Sequence, residues 1–159
     1  MSDDNLLSPI HNFRFQIDFT EDPLTPGQGS SDVALCSGAF SECTGLEATM
    51  EPKVIKEGGR NYGPAQRAGP VTFATVILKR GVTTTRHLWK WFELLTNGGG
   101  YAYRLSATIT VQDWAGNRVL AWKLEKAMPI KFKAGDLNAK GTDVAIEELH
   151  LAHEGLTLV

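Results

Sequence analysis

Near the start of the chain, Phe13, Phe15, Ile17 and Phe19 alternate with Asn12, Arg14, Gln16 and Asp18. That period of two predicts a strand with one buried and one wet face. The same alternation returns later. Leu105, Ala107, Ile109 and Val111 alternate with Ser106, Thr108, Thr110 and Gln112; after the turn sequence DWAGN at 113–117, Leu120, Trp122 and Leu124 alternate with Val119, Ala121, Lys123 and Glu125. The two runs predict a β-hairpin with one apolar face. Its other face carries hydroxyls on the first strand and charges on the second, with no aromatic ring, which suits water or a solvated channel better than a packed interface. VTFATVIL at 71–78 sets Val71, Phe73 and Ile77 on one side and Ala74, Val76 and Leu78 on the other. It predicts one strand covered by protein on both faces. Short extended pieces are expected at 39–48, 50–59 and 128–133, and the last strand at 145–153.

One helix interrupts the strands. Leu88, Trp91, Phe92 and Leu95 recur at i, i+3, i+4 and i+7, Thr84 or Thr85 supplies an N-cap oxygen, and NGGG at 97–100 ends the run. Trp89 and Leu94 fall off that stripe. They either widen the core-facing side or meet a neighbouring subunit. Pro23, Pro26, Gly27 and Gly29 make residues 21–37 a long surface loop, and the Gly/Pro-rich stretch at 51–70 reads as an arm or extended hairpin.

At 159 residues, with 42% hydrophobic and 21% charged positions, the chain has enough apolar surface for one core and one domain spanning 1–159. A net charge of -2 provides no general attraction to nucleic acid or to an anionic membrane. No apolar run reaches the roughly 20 residues of a spanning helix, and the acidic N-terminus lacks the basic-then-apolar order of a signal peptide. Membrane insertion is not expected. Cys36 and Cys43 form no CxxC motif and read as reduced, small apolar fillers.

Catalytic chemistry finds little footing. Among His11, His87, His150 and His153, the last two are three apart on an expected strand, hence on opposite faces, and no metal site is expected. Glu147 and Glu148 also point to opposite faces, which is no basis for paired-carboxylate chemistry. GGRNYG and NGGGY match neither phosphate-binding glycine pattern. No enzyme activity and no cofactor are expected. A surplus of strand edges is the dominant physical feature, and exposed edges are commonly paired with other copies.

FSECTGLEA at 40–48, LKRGVT at 78–83 before the aromatic helix LWKWF, the DWAGN turn, AMPIKF at 127–132, DLNA at 136–139 and the closing VAIEELHLAHEGL together resemble the contractile phage tail tube family. The resemblance covers nearly the whole chain and extends to the inner-tube and tube-initiator proteins of phage-tail-like injection systems. It implies a mainly β fold, tail-tube or Hcp-like, with two packed antiparallel sheets forming a barrel-like sandwich and one flanking helix. It also implies six copies per ring, rings stacked within a sheath, and a virion tail or a cytoplasmically assembled particle as the location.

Partners implied are the chain itself, sheath, baseplate or spike and adjacent tube proteins, with DNA or protein cargo passing the lumen without specific binding. On this reading Ser106, Thr108, Thr110 and Gln112 face the lumen. Trp89, Leu94, Val54, Ile55, Arg60 and Tyr62 are the candidate inter-subunit residues, the last four on the 51–70 arm. The 21–37 insertion departs from the family's short turn and suits a tube initiator as well as a repeating tube subunit. A secreted type VI-like ring-forming carrier and a monomeric ligand-binding β-sandwich are the alternatives from other classes.

Overall fold

A computed structural model of the protein describes residues 14–21, 38–59, 61–82, 87–96, 104–141 and 144–159. The opening alternation forms β1 (Arg14–Glu21), with Ile17 and Phe19 buried and Gln16 and Asp18 exposed. Phe13 lies outside the described residues. β1 pairs antiparallel with β9 (Leu105–Gln112), in a register that sets Ile17 opposite Ile109 and Phe19 opposite Ala107. β9 in turn pairs with β10 (Arg118–Lys133) across the DWAGN turn. That turn is fixed by Asp113, whose Oδ1 accepts the amides of Ala115 and Asn117 at 3.0 and 2.8 Å. β2 (Gly38–Ala39) flanks β1, and β12 (Gly155–Leu158) flanks β10, completing a first antiparallel sheet in the order β2-β1-β9-β10-β12.

β10 belongs to two sheets. Lys126 takes φ +50°, in the left-handed region, and the register against β9 slips between Leu124 and Ala127. Such a bulge bends a strand and re-aims it. Beyond it, Met128 to Lys133 pair with β11 (Ile146–Ala152), which pairs with β8 (Val76–Gly81) and then β3 (Glu42–Thr44). The separate piece expected at 128–133 is therefore the second half of one 16-residue strand. Among the described residues the architecture is two packed antiparallel sheets sharing a bent strand, and they form no closed barrel.

Two further expectations change. The single strand expected at 71–78 is split into β7 (Val71–Phe73), which pairs with β4 (Ala48–Met50), and β8 in the second sheet. The break lies where Gly45, at φ +89°, approaches the Thr75 carbonyl so closely that a Cβ would sit 2.1 Å from its oxygen. A side chain has no room there, so the hairpin kinks at Gly45 and at Ala74–Thr75 opposite it. Val76 and Leu78 are buried as predicted, but Val71 is exposed, so that segment is not covered on both faces. The last strand is also not the one expected at 145–153. β11 stops at Ala152, a turn follows in which His153 Nδ1–H donates to the Gly155 carbonyl at 3.0 Å, and β12 returns along β10.

The arm is a two-stage hairpin. Above β4 and β7 the chain crosses at the Glu51 amide, which donates to the Pro70 carbonyl at 3.0 Å, then re-pairs as β5 (Lys53–Ile55) with β6 (Ala65–Arg67). Among described residues from 47 to 72, only Ile55, Ala65 and Gly69 are even half-buried. A stretch with so little burial cannot be held by a core of its own.

Helix α1 (His87–Thr96) closes the core by burying Leu88, Trp91 and Leu95. The Trp91 ring meets Phe19 edge-on, centroids 5.3 Å apart. Phe92, expected on the buried stripe, is half-buried, while the off-stripe Trp89 is 42% exposed and lies 5.8 Å from Phe92 and 5.5 Å from Phe132 of β10. Trp89 thus widens the docking side and still presents surface. Thr84, Thr85 and 97–100 lie outside the described residues.

Candidate assembly surfaces

The outer face of the first sheet is built by register. Ser106, Thr108, Thr110 and Gln112 of β9 lie opposite Thr20, Asp18, Gln16 and Arg14 of β1, and all four β9 residues are partly exposed. On the other side Thr108 faces Lys123 and Thr110 faces Ala121. Gln16 Nε2 donates to Asp18 Oδ1 at 3.1 Å. The result is a polar, mixed-charge surface without a ring, as the alternation predicts.

A second polar face escaped the sequence reading. Across the second sheet, Glu42 of β3 lies opposite Lys79 of β8, Lys79 opposite Glu148 of β11, and Glu148 opposite Lys133 of β10. Four strands thus carry a row alternating negative, positive, negative, positive. Lys79 Nζ reaches Glu42 Oε2 at 3.4 Å. His150, two residues along β11, places Nε2 at 2.9 Å from Glu148 Oε1. That hydrogen bond, aided by Lys79 and Lys133 against some desolvation, holds the Glu148 carboxyl below the usual carboxylate range. A depressed carboxyl contributes stability above its unfolded value, about 4.3, and loses it as pH falls through the folded value. In a His150→Ala variant the Glu148 carboxyl therefore moves back toward that value, and carbon-detected NMR titration checks it.

Glu147 and Glu148 do point to opposite faces. Glu147 turns inward and pairs with Arg80, whose side chain is 11% exposed and whose guanidinium carbon lies 5.6 Å from the Phe40 ring centroid. The two glutamates share no cleft: Glu148, with Lys79, Lys133 and Asp136, lines one of about 430 Å³, and Glu147 is not part of it. No cluster of three metal-binding side chains occurs among the described residues. Burial pushes the Cys43 thiol up to about 11, which keeps it protonated at neutral pH; Cys36 lies outside the described residues.

The candidate contact residues scatter over the surface. Tyr62 is fully exposed, Val54 is 53% exposed and Ile55 is half-buried, all on the arm. Trp89 sits on the helix, remote in sequence from them. Arg60 and the Leu94 side chain lie outside the described residues. An apolar cleft of about 350 Å³ opens beneath β3, lined by Phe15, Cys43, Leu46, Val111, Leu120 and Trp122 among others.

The model of the T4-like virus tail tube protein gp19 family matches residues 11–157. The chain belongs to this tail tube family. A search of curated proteins finds no match. Among solved structures, a chain of the anti-feeding prophage baseplate, 6-fold symmetrised, superposes with a TM-score of 0.77 at 22% identity over 97% of both chains. A chain of the PVC extracellular contractile injection system sheath-tube complex, in its extended state, gives 0.77 at 18% identity over 100% of this chain and 98% of that one. Hcp1 from Flavobacterium johnsoniae is more distant, at 0.55 and 12% identity over 92% and 94%. This tail tube protein shares their fold, and among its described residues no helix is long and apolar enough to cross a membrane.

Proposed function

We propose that this tail tube protein closes into six-membered rings that stack as the inner tube of a contractile tail or injection particle, within a sheath and upon a baseplate. Its role is mechanical, and it catalyses nothing. Family membership supports the tube, and the sixfold baseplate and sheath-tube complexes that contain its structural neighbours support the ring and its setting.

The observation that carries ring closure is strand parity. Among the described residues the second sheet has four antiparallel strands, so its edges, β3 and the second half of β10, run in opposite directions. Copies related by rotation about an axis along the strands then meet antiparallel, and the sheet continues from copy to copy. Among the described residues the first sheet has five strands, and its edges β2 and β12 run the same way. The same rotation pairs those edges parallel, a slightly weaker geometry, and β2 contributes only two residues.

We therefore place the channel on the outer face of the second sheet. The Ser106, Thr108, Thr110 and Gln112 row lines a channel only where first sheets join. The arm, with Val54, Ile55, Arg60 and Tyr62, and the helix residues Trp89 and Leu94 reach neighbouring copies or sheath. DNA or protein passes the channel without specific contact.

Negative-stain microscopy and sedimentation over a concentration series test the ring. Isolated rings indicate a tube initiator, long stacked tubes a repeating subunit, and a chain that stays monomeric throughout rejects the reading. On assembled tubes in a Cys36→Ser, Cys43→Ser background, a bulky maleimide should label Thr108→Cys and spare Lys79→Cys. The reverse pattern returns the channel to the β9 row.

A further inference from the structure

The charge row across the second sheet has polar ends. Glu42 sits on the edge strand β3, half exposed, with Lys79 as its neighbour on the inner side; Lys133 sits on the opposite edge, exposed, with Glu148 as its inner neighbour. Among the described residues each of these edges has one hydrogen-bonded partner strand. An edge of this kind either is blunted or receives another strand. The two edges are complementary in three respects. They run antiparallel, they end the same row, and they carry opposite charge.

We propose that copies join edge to edge so that Lys133 of one copy lies opposite Glu42 of the next, which carries the Glu42–Lys79–Glu148–Lys133 alternation across the joint without a break. This rests on the ring reading above and names the contact that sets its register. In a closed ring the row becomes an unbroken belt of alternating charge. Slipping the joint by one residue turns Lys133 and its strand's charges toward the core side, so the belt and the apolar alternation select the same register. A slip of two residues keeps the faces and the charge sign, since Lys131 then lies opposite Glu42, but it steps the belt.

A second observation points to a copy of this chain as the occupant. The apolar cleft beneath β3, lined by Phe15, Leu46, Val111, Leu120 and Trp122, opens on the same edge as Glu42. A strand added to β3 covers that cleft, whereas an ion or a small polar ligand leaves it wet. The alternation itself makes the joint directional. β3 against β3 brings Glu42 against Glu42, and like charges directly opposite each other are unfavourable on a sheet. Head-to-tail closure avoids this at every joint.

Charge reversal tests the pairing. Glu42 and Lys133 are both exposed, so Glu42→Lys and Lys133→Glu should leave the fold intact, checked by near-ultraviolet circular dichroism of the tryptophans. Each single variant is expected to raise the concentration for half-assembly about tenfold or more, because every joint then sets like charges together. The double variant restores opposite charges at the joint but keeps the like-charge contacts with Lys79 and Glu148 inside each copy, so it is expected to recover at least half of the loss and not all of it. Single variants that assemble as readily as wild type would sink this pairing and leave the ring reading standing. Equal loss in the single and double variants likewise rejects the pair. A wild-type chain that never forms rings overturns both.

Discussion

Replacing Phe19 by alanine lowers folding stability by about 4 kcal/mol, the range found for removing a large buried ring. Phe19 is 1% exposed and central to the core, where Ile17, Ala107 and Leu124 are wholly buried as well. Its ring is also the one that Trp91 meets edge-on, a geometry worth about 0.5–1.5 kcal/mol beyond burial. The loss is large because the void forms between elements that relax poorly. β1 is held on both sides by β2 and β9, so the sheet does not collapse toward the gap, and α1 has the rest of its stripe still docked. Urea unfolding below the assembly threshold, followed by tryptophan fluorescence, measures it. Phe19→Leu restores most of the volume and should recover at least half of the loss. Were alanine to cost under about 1 kcal/mol, the edge-on contact of Trp91 with Phe19 would not be part of the packed core.

Glu147→Leu is comparable in size for a different reason. Arg80 and Glu147 face each other across β8 and β11, with side chains 11% and 8% exposed. Removing the carboxylate strands a guanidinium that cannot shed its proton, that already holds one buried terminal nitrogen without a hydrogen-bond partner, and that lies over the Phe40 ring. Breaking one side of a buried pair costs about 3–5 kcal/mol, whereas replacing both sides with apolar groups is often neutral. Glu147→Leu should therefore be much less stable than wild type, and Arg80→Met with Glu147→Leu should recover most of the difference. A double variant no better than the single one would show that Arg80 is anchored by something besides this carboxylate. Assembly need not follow stability here, since the pair lies on the core side and the charge row on the outer side of the same strands.

Alternation along the chain was enough to specify the faces of β1, β9 and the first half of β10. Period two is a property of the strand itself, so Phe15, Ile17 and Phe19, the β9 row and the run from Leu120 to Leu124 took the faces that local spacing dictates. The DWAGN turn is equally local, since Asp113 carries its own cap for the amides two and four residues on. The helix stripe and the opposed faces of Glu147 and Glu148 were legible for the same reason, and the tail tube family from the ordered set of short motifs along the chain.

Tertiary structure decided whatever depends on which strands become neighbours. The split of 71–78 follows from the backbone of Gly45 arriving at Thr75, a contact thirty residues apart in the chain. The single long β10 depends on Lys126 accepting a bulge so that one strand can serve two sheets. The charge row is the sharpest case. Each of Glu42, Lys79, Lys133 and Glu148 is an ordinary outward charge on its own strand, beside an inward apolar residue (Cys43, Leu78, Phe132 and Leu149). Only pairing four strands from distant parts of the chain, in one register, places them side by side with opposite signs at the two open edges. Local periodicity determines the face on which a side chain lies, and long-range pairing determines what it meets there.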